Sequence, residues 1–228
     1  MSFFEWLDHI DKVLFTLIQH DTATAVLDVV MPVLRDPYTW APFYVFMLYY
    51  CVRKGQQHAW IFIAFSLLTF AITDSLTAQI MKPFFGRLRP CHDPEMAQTI
   101  RMVIDCGGLY SMPSSHAANH FGLATFWYFA IRTMMGITEP REVLLQAKSG
   151  IKWWRGLFWW AGAVCYAQIY VGKHYPFDIL MGACTGLLAG YGLSRIFAYL
   201  WEKRSHRNMD FVRWFKKYPV TQIDDRYE

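Results

Sequence analysis

Long apolar blocks, separated by short charged connections, run through this chain. Residues 3–19 place Phe4, Leu7, Ile10, Leu14 and Leu17 at three- and four-residue steps, the period of an amphipathic helix. Residues 22–34 form a shorter apolar piece that carries Asp28 and is broken by Pro32. Residues 39–52 are apolar and stop at Arg53-Lys54. Residues 59–81 make a long apolar run closed by Lys82, and a polar stretch, 83–113, follows. Residues 116–135 and 153–171 are apolar again, with a charged connection, 137–152, between them. Pro176 opens a last helix predicted to run to about Trp201, and the tail beyond it is basic and polar.

A helix needs about 20 apolar residues to cross a bilayer. The stretches 59–81, 116–135, 153–171 and 177–200 reach that length, and 39–52 reaches it by borrowing from 30–38. The pattern therefore predicts an all-α, polytopic membrane helix bundle. Hydropathy gives five spans, and about six if the N-terminal element crosses instead of lying in the interface. One membrane-embedded domain is expected over residues 1–202, with a cytoplasmic basic tail over 203–228.

Cations fix the orientation. Arg53, Lys54, Arg141, Lys148, Lys152, Arg155 and the basic tail lie on one side; Lys82, Arg87, Arg89, Arg101 and Lys173 lie on the other. Cytoplasmic loops carry the excess of Lys and Arg, so the second side faces out of the cytoplasm. The expected location is a bacterial inner membrane, with that face periplasmic or extracellular.

Composition agrees with a membrane protein. Apolar residues make up 54%, with 10 Trp, 13 Tyr and 18 Phe, more than an average soluble domain carries. A net charge of +4, with no basic stripe interleaved with aromatics, argues against a nucleic-acid partner. Residues 1–19 lack a basic start and are interrupted by Glu5, Asp8 and Asp11, unlike a cleavable signal peptide. Cys51, Cys165 and Cys184 fall in apolar runs and are expected to pack as small hydrophobes. Cys91 and Cys106 bracket part of the polar stretch and can form a bridge in an oxidising compartment.

Three short segments carry chemistry, each at the end of an apolar run: 82–90, 113–116 and 174–178. Polar and charged groups so near a bilayer are costly, which marks them as functional. In the first, Lys82 and Arg89 can clamp phosphate oxygens, Arg in a fork and Lys as a point charge; they can equally be cations snorkelling to the interface. In the second, Ser114, Ser115 and His116 stand where a loop enters a helix, a place that attracts anions and also needs a cap. In the third, Asp178 lies one turn past His174 and can orient its ring, making the imidazole a nucleophile toward phosphorus; the pair can also simply tie a loop to a helix. His116 and His120 share metal-ligand spacing, but no Glu follows His116, and neither metal nor cofactor is expected.

Together these segments resemble the type 2 phosphatidic acid phosphatase and vanadium haloperoxidase superfamily. That family carries a Lys, six residues, then Arg-Pro, and Lys82, Arg89 and Pro90 match it. Its Pro-Ser-Gly-His matches at Pro113, Ser114 and His116, with Ser115 in place of Gly. Its Ser-Arg, five residues, His, three residues, Asp matches at His174 and Asp178. The resemblance implies a six-helix membrane lipid phosphatase that needs no metal. It implies that His174 attacks phosphorus, Asp178 orients it, and His116 serves as acid and then base. Lys82, Arg89 and Ser114 would hold the phosphate, and Ser115 and Gln168 are expected to bind it beside them. The family's third-segment Arg falls on Gln168, which carries no charge. Either Arg87 or Lys173 replaces that charge, or the enzyme is slow, or the site binds phosphate without hydrolysing it.

The expected activity is hydrolysis of a lipid phosphate or diphosphate through a phosphohistidine. Undecaprenyl diphosphate is slightly preferred over phosphatidylglycerol phosphate, phosphatidate and lipid A. The alternative is a non-catalytic lipid-phosphate binding or transport protein. A vanadate-dependent haloperoxidase fits the membrane spans and Gln168 poorly. The expected partners are the lipid substrate and membrane lipids.

Overall fold

The computed structural model describes residues 2–55, 58–136 and 154–217. The charged connection 137–152 and the end of the tail lie outside the described residues. Helix α1 spans Phe3–Asp21 and opens with a capping box, in which Ser2 and Glu5 each accept the other's backbone N–H. Helix α2, Ala25–Arg35, is capped by Thr24 and is bent 119° from α1. A 3-10 turn, Pro37–Trp40, leads to α3, Ala41–Gly55. Helix α4 runs Ala59–Phe85, includes a π-helical segment at Leu76–Met81, and stops at Gly86, whose φ of 60° few other residues tolerate. Helices α5 (Ser115–Met134), α6 (Gly156–Tyr170) and α7 (Pro176–Lys217) complete the bundle. The architecture is all-α, as expected, and α7 continues past residue 202, where the tail was expected to begin.

Three details depart from the apolar pattern. Pro32 lies inside α2 and does not end it; the helix runs on to Arg35. Proline removes one backbone bond there, and packing of Met31 against Ala167, Tyr170 and Val171 holds the turn. The apolar stripe of α1 faces outward: Phe4, Leu14 and Leu17 are exposed, while Asp11, Phe15 and Gln19 are buried. The buried polar groups are satisfied. Gln19 exchanges hydrogen bonds with the backbone of Arg101, and Asp11 accepts from Arg87 and from the Phe177 N–H. Cys51 and Cys165 are buried as expected, but Cys184 faces outward on α7.

By length and composition, Ala59–Phe85 and Pro176–Arg204 are apolar enough to cross a membrane, and the bent pair α1–α2 makes a third if counted as one span. Helix α6 is only 15 residues long, and α5 carries His116, Asn119, His120 and Arg132. Both were expected as spans. Helix α5 is the central post: residues along its whole length, from Ala117 to Ile131, are buried by protein. A helix wrapped in protein has no need of an all-apolar surface.

Helix α5 lies tightly on α7. Gly182, Gly186 and Gly190 stand one turn apart on α7, and a Cβ at each would collide with the carbonyl oxygen of Ser114, Ala118 or Gly122 on α5. Small residues in such a row let two backbones touch. Away from this seam, Phe62, Phe126, Trp127, Trp160 and Phe197 fill the core.

Candidate active site

The polar stretch after α4 folds back over the bundle. Arg89 and Ser111 donate their backbone N–H groups to the carbonyls of Leu109 and Arg87, and Cys91 is joined to Cys106 by a disulfide. The bridge anchors a functional carbonyl: Cys106 O accepts from Lys173 Nζ at 2.9 Å and from Arg89 Nη1 at 3.3 Å. Gly107 follows with φ of 77°, and a Cβ there would lie 3.0 Å from Lys173 Nζ.

Under this loop lies a cavity of about 420 Å³. Six of the eight residues singled out from sequence line it: Lys82, Arg89, Ser115, His116, Gln168 and His174. Ser114 and Asp178 do not. Ser114 is fully buried, caps α5 by accepting from the Ala117 N–H, and donates its own N–H to the Asp178 carbonyl. Ser115 Oγ accepts from Thr77 Oγ1 at 3.0 Å.

His174 is held in the loop between α6 and α7, where Gly172 takes φ of 83° and Lys173 N–H returns to the Gln168 carbonyl. Its Nδ1 stands 3.5 Å from Asp178 Oδ2, long for a hydrogen bond. That same oxygen accepts from the Tyr175 N–H at 2.8 Å. Burial pushes the His174 imidazole down to about 4, against the pull of Asp178. The ring is therefore neutral at ordinary pH, with its second nitrogen on the edge away from Asp178.

Arg87 does not line the cavity. Its guanidinium is engaged by Asp11 at 2.6 Å, Asp8 at 2.8 Å and Asp178 at 3.0 Å, and stacks over the Tyr175 ring. Arg87 is thus no substitute for the charge missing at 168. It braces Asp178 from behind, with α1 behind it. Lys173, the other substitute suggested by sequence, does line the cavity. Burial, then repulsion from Arg35 and Arg89, lowers its ammonium to about 8.

Two charged lining residues escaped the sequence reading. Asp74, on α4, accepts from Asn119 Nδ2 at 3.0 Å. Arg35, the last residue of α2, also lines the cavity, with Nε 3.4 Å from Gln168 Oε1. A second, apolar cavity of about 360 Å³ shares Pro37, Tyr44, Phe70 and Leu123 with the first.

An all-α membrane bundle that gathers three histidines and several cations around one cavity has the layout of a membrane phosphatase. The profile of the PAP2 superfamily matches residues 59–202, and the chain belongs to that superfamily. Among its relatives, the lipid A 4'-phosphatase of Porphyromonas gingivalis is 27% identical, with 86% of this chain and 76% of that protein covered. The lipid A 4'-phosphatase of Bacteroides thetaiotaomicron is 28% identical, with 82% and 76% covered. Two solved structures share the fold. A PAP2-type phosphatidylglycerolphosphate phosphatase from Bacillus subtilis gives a TM-score of 0.62 at 16% identity, covering 84% of this chain and 85% of that one. Aquifex aeolicus LpxE gives 0.53 at 24% identity, covering 80% and 93%. The superfamily match begins at residue 59, so α1 and α2, with Asp8, Asp11 and Arg35, precede it.

Proposed function

We propose that this membrane phosphatase of the PAP2 superfamily removes a phosphate monoester from a lipid A-type glycolipid through a phosphohistidine at His174. The observation that carries the reading is the convergence of His116, His174, Lys82 and Arg89 on one cavity, with Asp178 directly behind His174.

The neutral His174 attacks phosphorus with the nitrogen remote from Asp178, and the bond from phosphorus to the lipid oxygen breaks. The phosphate dianion beside His116 favours its protonated form in the occupied site, and His116 donates that proton to the lipid oxygen. Asp178 offsets the positive charge left on the His174 ring. His116, now neutral, takes a proton from water; the water oxygen bonds to phosphorus and the phosphorus–nitrogen bond breaks. Inorganic phosphate leaves and both histidines regain their starting states. Lys82, Arg89, Ser115 and Gln168 bind the non-bridging oxygens, where charge grows in the transition state. Ser114 acts one step removed, as the cap that sets where α5 begins. No step calls for a metal or a cofactor.

The two relatives named lipid A 4'-phosphatase favour lipid A over the undecaprenyl diphosphate preferred from sequence. The apolar cavity that adjoins the polar one supports a substrate with a lipid tail, the headgroup in one and a chain in the other. The cation asymmetry and the Cys91–Cys106 bridge support a site facing an oxidising compartment outside the cytoplasm.

Phosphate release by purified protein from lipid A, undecaprenyl diphosphate, phosphatidylglycerol phosphate and phosphatidate tests the proposal. Release is expected from lipid A at the highest kcat/KM, with an alkali-stable, acid-labile label on the wild type and none on His174→Ala. The second reading, a lipid-phosphate binder without turnover, draws on Gln168; binding of lipid A without release would establish it.

A further inference from the structure

We propose that Arg35 supplies the phosphate clamp that position 168 lacks, Arg35 and Gln168 acting as one anion-binding unit. The inference rests on the phosphatase reading but concerns a residue outside the superfamily match.

The packing sets Arg35 in place. Met31, one turn earlier on α2, is buried in a cluster with Ala167, the neighbour of Gln168 on α6. That contact fixes the register of α2 and brings Arg35 Nε to Gln168 Oε1. Arginine only donates, so the amide oxygen must face it. The amide nitrogen of Gln168 is then turned away. It is buried, in a residue only 1% exposed, and has no partner among the described residues. A buried donor without an acceptor is costly, and one beside a cationic cavity is satisfied when an anion enters.

Charge points the same way. Arg35, Lys82, Arg89 and Lys173 all line the cavity, and Asp74 is the one carboxylate that lines it with them among the described residues. Arg35 makes no ion pair with a carboxylate among the described residues. Four cations against one carboxylate suit a ligand with more than a single negative charge, such as a phosphate monoester dianion. Tethering α2 to α6 through one 3.4 Å bond to a neutral amide would not by itself call for a guanidinium.

The experiment measures inorganic phosphate binding by calorimetry and kcat/KM for lipid A in detergent micelles. It compares the wild type, Arg35→Ala, Arg35→Gln and the double variant Arg35→Ala/Gln168→Arg. The clamp predicts that Arg35→Ala lowers kcat/KM roughly a hundredfold, as loss of one transition-state donor does, and weakens phosphate binding in parallel. Adding Gln168→Arg returns at least about tenfold, because the charge comes back from the other helix. A change of less than about threefold in Arg35→Ala overturns the proposal. So does a loss that Gln168→Arg fails to rescue while the melting temperature stays at the wild-type value. Should Arg35→Ala not fold, Arg35→Gln decides: lost phosphate binding supports the clamp and retained binding overturns it. If the wild type binds phosphate through Arg35 but releases none from lipid A, the phosphatase reading falls and the clamp stands.

Discussion

The α5–α7 seam and the α1–α2 layer both serve one cavity, but they do so by different physics. The seam brings His116 and the His174–Asp178 pair together by backbone contact, with glycines where any side chain would collide. It has no adjustable part. The N-terminal layer works through side chains: Asp11 and Asp8 reach Arg87, and Arg35 reaches Gln168. Long side chains can deliver a charge from many backbone positions. The groups proposed to make and break bonds therefore sit on the rigid pair of helices or, for His174, in the loop that leads into it, while supporting charges can migrate between elements.

Loss of the proposed nucleophile should have the largest effect. His174→Ala is expected to lower lipid A phosphate release by at least about 10⁴-fold, as removal of a nucleophile does elsewhere, with melting unchanged. The seam comes next. Gly186→Leu drives a side chain into the α5 backbone at Ala118 and is expected to cost about 3 kcal/mol or more. Gly162→Leu on α6, where a Cβ meets nothing within 4 Å, should stay within about 0.5 kcal/mol; thermal melting in detergent compares the two. In the adjustable layer, Asp11→Asn keeps an acceptor for the Phe177 N–H but removes a charge from Arg87. It should lower kcat roughly tenfold, the scale of losing a group that orients a reactive one, with KM nearly unchanged. The mildest effect is one of pH. Lys173, held at about 8, loses its charge as pH rises through that value, so kcat/KM should fall on the alkaline side. Lys173→Arg should flatten that limb. His174, held at about 4, is protonated only below that pH, so as a nucleophile it would set no limit near neutrality.

The helical membrane fold was legible because apolar blocks of bilayer length are hard to read otherwise. The gathering of His116, His174, Lys82 and Arg89 at one cavity, with Asp178 beside His174, was legible because their spacing is local, set by one helix turn or one loop. Arg35 was not. Its partner lies 133 residues away, and no local pattern links them. The outward stripe of α1 shows a second limit. Periodicity says that one face is apolar, and in a bilayer that face can point to lipid while Asp11 and Gln19 turn inward to partners far along the chain. Apolarity also does not tell lipid from protein as the surroundings: α5 has the length and hydropathy of a span and is enclosed by its neighbours.

The bridge between Cys91 and Cys106 carries a last consequence. The carbonyl it steadies is the shared acceptor of Lys173 and Arg89. A copy inserted upside down, with this loop in a reducing cytoplasm, would lack the tether and hold both cations loosely. On the proposed orientation, insertion and competence would be coupled: the loop is tied, and both cations are held, only on an oxidising side of the membrane.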